Sequence, residues 1–132
     1  MEDIAGRIER EVGSWDGVTT HAHRFGGTEF RFGRREIGHL HGSRWADLPF
    51  HKRIRDMLVE TGRAQPHHVL PHTGWVSKQI RGDDDVAAVV ELFRLSYERA
   101  RVAQRVSSEN RSADTLPPES TIPSDGASRP AK

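Results

Sequence analysis

The stretch TEFRFGRREIGHL, Thr28 to Leu40, constrains the fold more than any other part of this chain. Charged and apolar residues alternate on both sides of Gly33-Arg34, and a two-residue turn with glycine first is a hairpin signal of the II′ type. In the simplest register Phe32 faces Arg35, Arg31 faces Glu36 and Phe30 faces Ile37, which gives an ion pair and an aromatic–aliphatic pair across the strands. Strand side chains repeat every two residues, so Phe30, Phe32 and Ile37 share one face, and His39 and His41 continue it. Glu29, Arg31 and Glu36 take the other face. The expectation is that both imidazoles look into the core beside Ile37.

The rest of the chain supplies partners for that hairpin. Ile4, Ile8 and Val12 recur every fourth residue before Gly13, which predicts a short amphipathic helix. Asp16-Gly17 is a turn, and Val18 to Phe25 reads as a strand. ADLPFHKRIRDMLVETG reads as a second helix, with Asp47 as its cap, Pro49 in its first turn, and Phe50, Ile54, Met57 and Leu58 as its apolar stripe. Gly62 ends it. His67–Leu70, between Pro66 and Pro71, predicts a short strand, Thr73-Gly74 a turn, and Trp75–Ile80 a last strand. Asp83-Asp84-Asp85 then opens the strongest helix, where acidic residues meet the positive end of the helix dipole. Val86, Val89, Val90, Phe93, Tyr97 and Ala100 line its apolar face.

Helix, three strands, helix, two strands, helix is a two-layer α+β arrangement. The sheet has about five strands, is mostly antiparallel, and carries helices on one face. Only 34% of residues are hydrophobic, and much of the deficit lies in residues 106–132, where four prolines and many small polar residues predict a disordered tail after a single domain of residues 1–105. A domain of that size buries one modest core.

Composition also narrows function. Net charge is +1, so nothing in the balance favours nucleic acid or an anionic surface. The arginines of HKRIR and at Arg94, Arg99, Arg101 and Arg105 interleave with Asp56, Glu60, Glu91 and Glu98, which reads as solvated helix faces. With no cysteine there are no disulfides, thiolate metal sites or cysteine nucleophiles. The longest apolar run, VAAVV, is too short to cross a bilayer, and the N-terminus is charged, so a cytoplasmic protein without a signal peptide is expected. No G-x-S-x-G elbow supports a serine nucleophile.

HRFGGTEFRFG, REIGHLHG, ADLPF, PHHVLP, GWV and LFRLSYERA, in that order, resemble the small bacterial and fungal proteins of the luciferase-domain type. The resemblance covers about residues 15–100. It implies no catalytic role for any particular residue, and the chain is too short to be one of the long flavin-dependent luciferase barrels. Trp75, Val76 and Ser96-Tyr97-Glu98 are more weakly similar to YjbR/MmcQ-like proteins. That likeness implies a curved antiparallel sheet and, loosely, DNA binding or another interaction role.

Histidine is the best handle on chemistry. The chain has eight, including His21-x-His23, His39-x-His41, His67-His68 and His72. An H-x-H pair on a strand puts two rings on one face, and a neighbouring segment can add a third ligand for a divalent transition metal. The candidate metal ligands are His39, His41, His68 and His72. A wider small-ligand pocket would add His67, Arg24, Arg35 and Trp75, and Gly38 is the glycine whose place inside a strand asks for a reason. Against this stands a set of structurally bonded imidazoles. Trp15, Trp45 and Trp75 read as rim residues of the core. Small-ligand binding in a histidine-lined pocket is the expected function, with a metal-dependent enzyme and an interaction module as alternatives.

Overall fold

The computed structural model describes residues 2–23 and 26–114. Its element order is α1 (Ile4–Gly13), β1 (Val18–His23), β2 (Gly27–Phe32), β3 (Arg35–His41), β4 (Trp45–Pro49), α2 (Lys52–Glu60), β5 (Gln65–Pro66), β6 (Trp75–Gln79), a 3-10 turn at Asp83–Asp85 and α3 (Val86–Asp114). Six strands form one open sheet in the order β1-β2-β3-β4-β6-β5, antiparallel throughout. The fold is α+β, as the sequence predicts, with one strand more than expected.

Two compact units are distinguished, Met1–Arg101 and Val102–Lys132. The first holds the sheet and the core. The second begins within α3, whose residues Val102 and Val106 are about half exposed. The domain end expected near residue 105 therefore falls inside a helix that continues to Asp114, and residues 115–132 lie outside the described ones.

One face of the sheet carries the helices. Ile8 and Val12 of α1, Leu58 of α2, and Val89, Leu92, Phe93, Tyr97 and Ala100 of α3 pack with Phe30, Ile37, Leu40, Ala46, Leu48 and Val76. Phe30 meets Phe93 edge to face at 5.1 Å, a favoured aromatic geometry. Asp3 caps α1 by accepting from the Gly6 amide.

The extra strand is β4, and it corrects the reading of ADLPF. Ala46 and Leu48 are buried in the core while Trp45 and Pro49 are half-buried on the other side, a strand alternation. Asp47 sits mid-strand opposite His39 and Ser77 and is no helix cap; the cap of α2 is His51. The sequence misleads here because Asp followed by Pro two residues later is also a good helix start. His67–Leu70, expected as a strand, is a bend; pairing in that region is confined to Gln65 and Pro66. The two prolines around it remove ladder donors.

The hairpin is present, with Gly33 at φ 62°, and its first two pairs are those predicted: Phe32 with Arg35, and Arg31 with Glu36. Then the register slips, and Phe30 pairs with Gly38 instead of Ile37. This is a β-bulge, with Ile37 the extra residue. Gly38 has φ +150°, and a Cβ there would stand 2.6 Å from the Phe93 ring and 3.0 Å from the Asp47 carbonyl oxygen. Only glycine fits a place so strained and so closely approached by α3.

The bulge reverses the strand's parity. Leu40 joins the helix-covered core, while His39 and His41 turn to the opposite face, with Glu36, Glu29 and Asp47. The expectation that the two imidazoles share a side with Ile37 is thus overturned. They are sheltered nonetheless, because the segment from His67 to Leu70 and Trp75 border that face: His39 is 8% exposed and Asp47 1%.

Candidate metal centre

Four imidazoles meet at one carboxylate. Asp47 Oδ2 lies 2.9 Å from His41 Nε2, 3.2 Å from His39 Nε2, 3.2 Å from His68 Nε2 and 3.4 Å from His67 Nε2. The other oxygen, Oδ1, accepts from the Ser77 hydroxyl at 2.6 Å. β3 presents His39 and His41 by strand alternation, β4 presents Asp47, β6 presents Ser77, and the bend after β5 brings His67 and His68.

A second ring of contacts holds the first. His39 Nδ1 is 2.6 Å from Glu36 Oε2, and His23 stacks on His39 at 3.9 Å while its Nδ1 lies 3.1 Å from Glu29 Oε1. Trp75 borders both His39 and His67, and Trp45 borders His41 and His68. The His67 Nδ1 accepts from the amides of Val69 and Leu70, each at 3.0 Å. The far end of the bend is tied to α2, where Arg55 donates to the Pro71 carbonyl.

Electrostatics follow from this packing. Burial disfavours the charged form of His39, but its bonds to Asp47 and Glu36 outweigh that and raise it to about 9. His41 and His67 are pushed down by burial, only partly offset by Asp47. Burial also works against the Asp47 charge, yet bonds from His39, Ser77 and His68 hold its carboxyl well below the usual range. An anion this deeply buried is costly unless paired.

Counting lone pairs shows an excess of donors. A carboxylate oxygen offers about two acceptor sites, and four imidazole nitrogens crowd Oδ2. The same distances suit a different arrangement. Ligand atoms held about 2.1 Å from one zinc or similar ion stand roughly 3.0–3.4 Å apart, and each imidazole nitrogen stands about that far from Oδ2. Two groupings have metal-ligand spacing: His39, His41 and Asp47, and Asp47, His67 and His68. A cavity of about 350 Å³ opens over them, bordered also by His23, Glu36, Val69, Leu70 and Trp75.

The structure thus brings His39, His41, His67, His68 and Trp75 together. His72 is exposed further along the bend and belongs to neither grouping, and Arg35 is exposed at the hairpin turn, away from the cavity. Arg24 lies outside the described residues. Sequence reasoning missed Asp47, Glu36 and Ser77. The available signal for Asp47 was the alternation of TRP-Ala-Asp-Leu-Pro at Trp45–Pro49, obscured by its likeness to a helix start.

Among the described residues, no helix is long and apolar enough to cross a membrane. No curated protein and no solved structure gives a match to the chain, so the weaker YjbR/MmcQ likeness gains nothing from comparison. Residues 34–96 match the family profile described as Luciferase domain, a span that contains Asp47, Ser77, Glu36 and all four converging histidines. Over that span, just under half of its length, the chain is similar to the Luciferase domain family.

Proposed function

We propose that this domain is a metal-dependent ligand-binding module. A divalent first-row transition ion is held by His39, His41 and Asp47, completed by an imidazole from His67-His68, and a small ligand with an oxygen or nitrogen donor binds at the ion. The observation that carries the reading is the convergence of four Nε2 atoms on one carboxylate oxygen that has acceptor sites for about half of them. Imidazole and carboxylate together suit zinc, iron(II), cobalt(II) or nickel(II), and two histidines with one carboxylate on adjacent strands is a set that leaves coordination positions open. Glu36 on His39 Nδ1 is the carboxylate–histidine contact that orients a metal-binding imidazole.

The surroundings support a small ligand. Trp75, Val69 and Leu70 add apolar lining to a cavity otherwise bordered by polar groups. A bound ion would supply Lewis acidity; the chain's part is to hold the ion and to offer the ligand an apolar contact beside it.

The test is metal analysis of untagged protein, followed by titration with Zn(II), Co(II) and Fe(II). One ion per chain, lost in the His39→Gln/His41→Gln double variant, is expected. Protein that carries no stoichiometric metal and gains no thermal stability with any of the three ions overturns the proposal.

A further inference from the structure

The two adjacent histidines of the bend make different bonds, and the difference assigns them different work. We infer that His68 is the loop's metal ligand, whereas His67 is a fixed N–H donor to Asp47 Oδ2 and does not touch the ion. The ligand half of this inference rests on the metal-binding reading; the donor half does not.

A neutral imidazole has one N–H and one lone pair, and whatever occupies one nitrogen decides what the other can do. His67 Nδ1 faces two backbone amides, Val69 N and Leu70 N, each at 3.0 Å. Amides only donate, so Nδ1 must hold the lone pair. The proton of the neutral ring is then on Nε2, which lies 3.4 Å from Asp47 Oδ2, the longest of the four imidazole contacts. To free Nε2 for a metal the proton would have to move to Nδ1, setting three N–H groups against one another in a site 8% exposed.

His39 is the mirror image. Its Nδ1 meets Glu36 Oε2 at 2.6 Å, and a carboxylate only accepts, so the Nδ1 proton is held there. Once the Nε2 proton is displaced, the lone pair faces Asp47. His68 is under no such constraint: among the described residues it bonds only through Nε2, to Asp47, and its side chain is 45% exposed. It can adopt either tautomer and adjust its position.

The assignment also apportions the carboxylate. Oδ1 accepts from Ser77, and the inferred N–H of His67, 3.4 Å from Oδ2, would take one of that oxygen's two sites and leave the other for an ion. Asp47 is therefore a one-oxygen ligand; His39, His41 and Asp47 stand at metal-ligand spacing as one set, and the half-exposed His68, which shares Asp47 with them from the second set, is the imidazole free to swing onto the same ion. His67 is a positioning residue that aims that oxygen.

Two measurements test this. Long-range proton–nitrogen NMR on the labelled, metal-free wild type reads tautomers directly, and His67 is expected with its proton on Nε2. Co(II) titrations then compare His67→Gln, whose amide can still donate, with His68→Gln. The first is expected to keep one Co(II) and the wild-type visible spectrum; the second to lose about 100-fold or more in affinity and to shift the spectrum. His67 with its proton on Nδ1, or a Co(II) spectrum altered by His67→Gln and not by His68→Gln, overturns the inference. A wild type that binds no Co(II) overturns the ligand roles and the metal-binding reading together. That outcome is visible separately from the tautomer, which needs no ion.

Discussion

The two faces of the sheet are built by opposite rules. On the helix side, Phe30, Leu40, Leu48, Val76 and Phe93 are held by shape and by exclusion of water. On the other side, Asp47 is equally buried yet surrounded by imidazoles and a hydroxyl, held by bonds of specific length. Both faces use the same strands. What separates them is parity, and on β3 parity is set by one bulge. The difference teaches that burial alone does not mark a core: Asp47 at 1% exposure belongs to the polar cluster, and Leu40 at 1% to the apolar packing.

That contrast can be broken experimentally. The largest effect is expected from Phe93→Ala, which should cost about 3–5 kcal/mol by denaturant unfolding, because it empties the centre of the apolar layer. The metal stoichiometry of the folded fraction should not change; if it does, the faces are not independent. Asp47→Ala should do both kinds of damage. Removing the anion from its buried imidazole partners should cost about 3 kcal/mol and abolish metal retention. Unchanged metal content would mean that Asp47 only braces the histidines.

Gly38→Ala tests the boundary between the faces. The added methyl meets the Phe93 ring and the φ of +150° becomes strained, so a loss of about 2–3 kcal/mol is expected in an unfolding titration. A neutral result would show that the bulge can move. The smallest effect is a pH dependence in metal-free protein. His39, raised to about 9, stabilises fully below its ordinary 6.5 and loses that contribution as pH climbs through 9. His41 and His67, lowered by burial, stabilise fully above 6.5 and lose that contribution as pH falls. Stability should therefore peak near pH 6.5, with a decline of about 1–2 kcal/mol by pH 9 in unfolding midpoints. A flat profile from pH 6 to 9 would mean that these opposed shifts are absent.

Much of the fold was legible because it follows period. The α1 stripe, the hairpin turn, the Trp75 strand and the α3 face all repeat at regular spacing over several residues. What escaped was set by single events. The bulge at Ile37-Gly38 leaves no trace except a glycine inside a strand, yet it moves two histidines from one face to the other. β4 escaped because Asp47 and Pro49 satisfy the local grammar of a helix start as well as that of an edge-like strand, and only its pairing with β3 and β6 decides between them. The histidines themselves were visible from their H-x-H and H-H spacing. Their partners, Asp47 and Glu36, were visible only as charges, since nothing local says that a carboxylate is to be buried.

The bend that carries His67 and His68 is fastened to α2 through Arg55 and Pro71, and reaches the sheet through bonds to Asp47. An ion shared by Asp47 and His68 would staple that excursion, α2 included, to the middle of β4. In a chain without cysteine this is a cross-link by other means. By the chain-entropy logic of a disulfide around a loop of similar size, it would withdraw about 3 kcal/mol of freedom from the unfolded chain. Chelation would then loosen α2 and its bend first, leaving the hairpin and α3 folded longest.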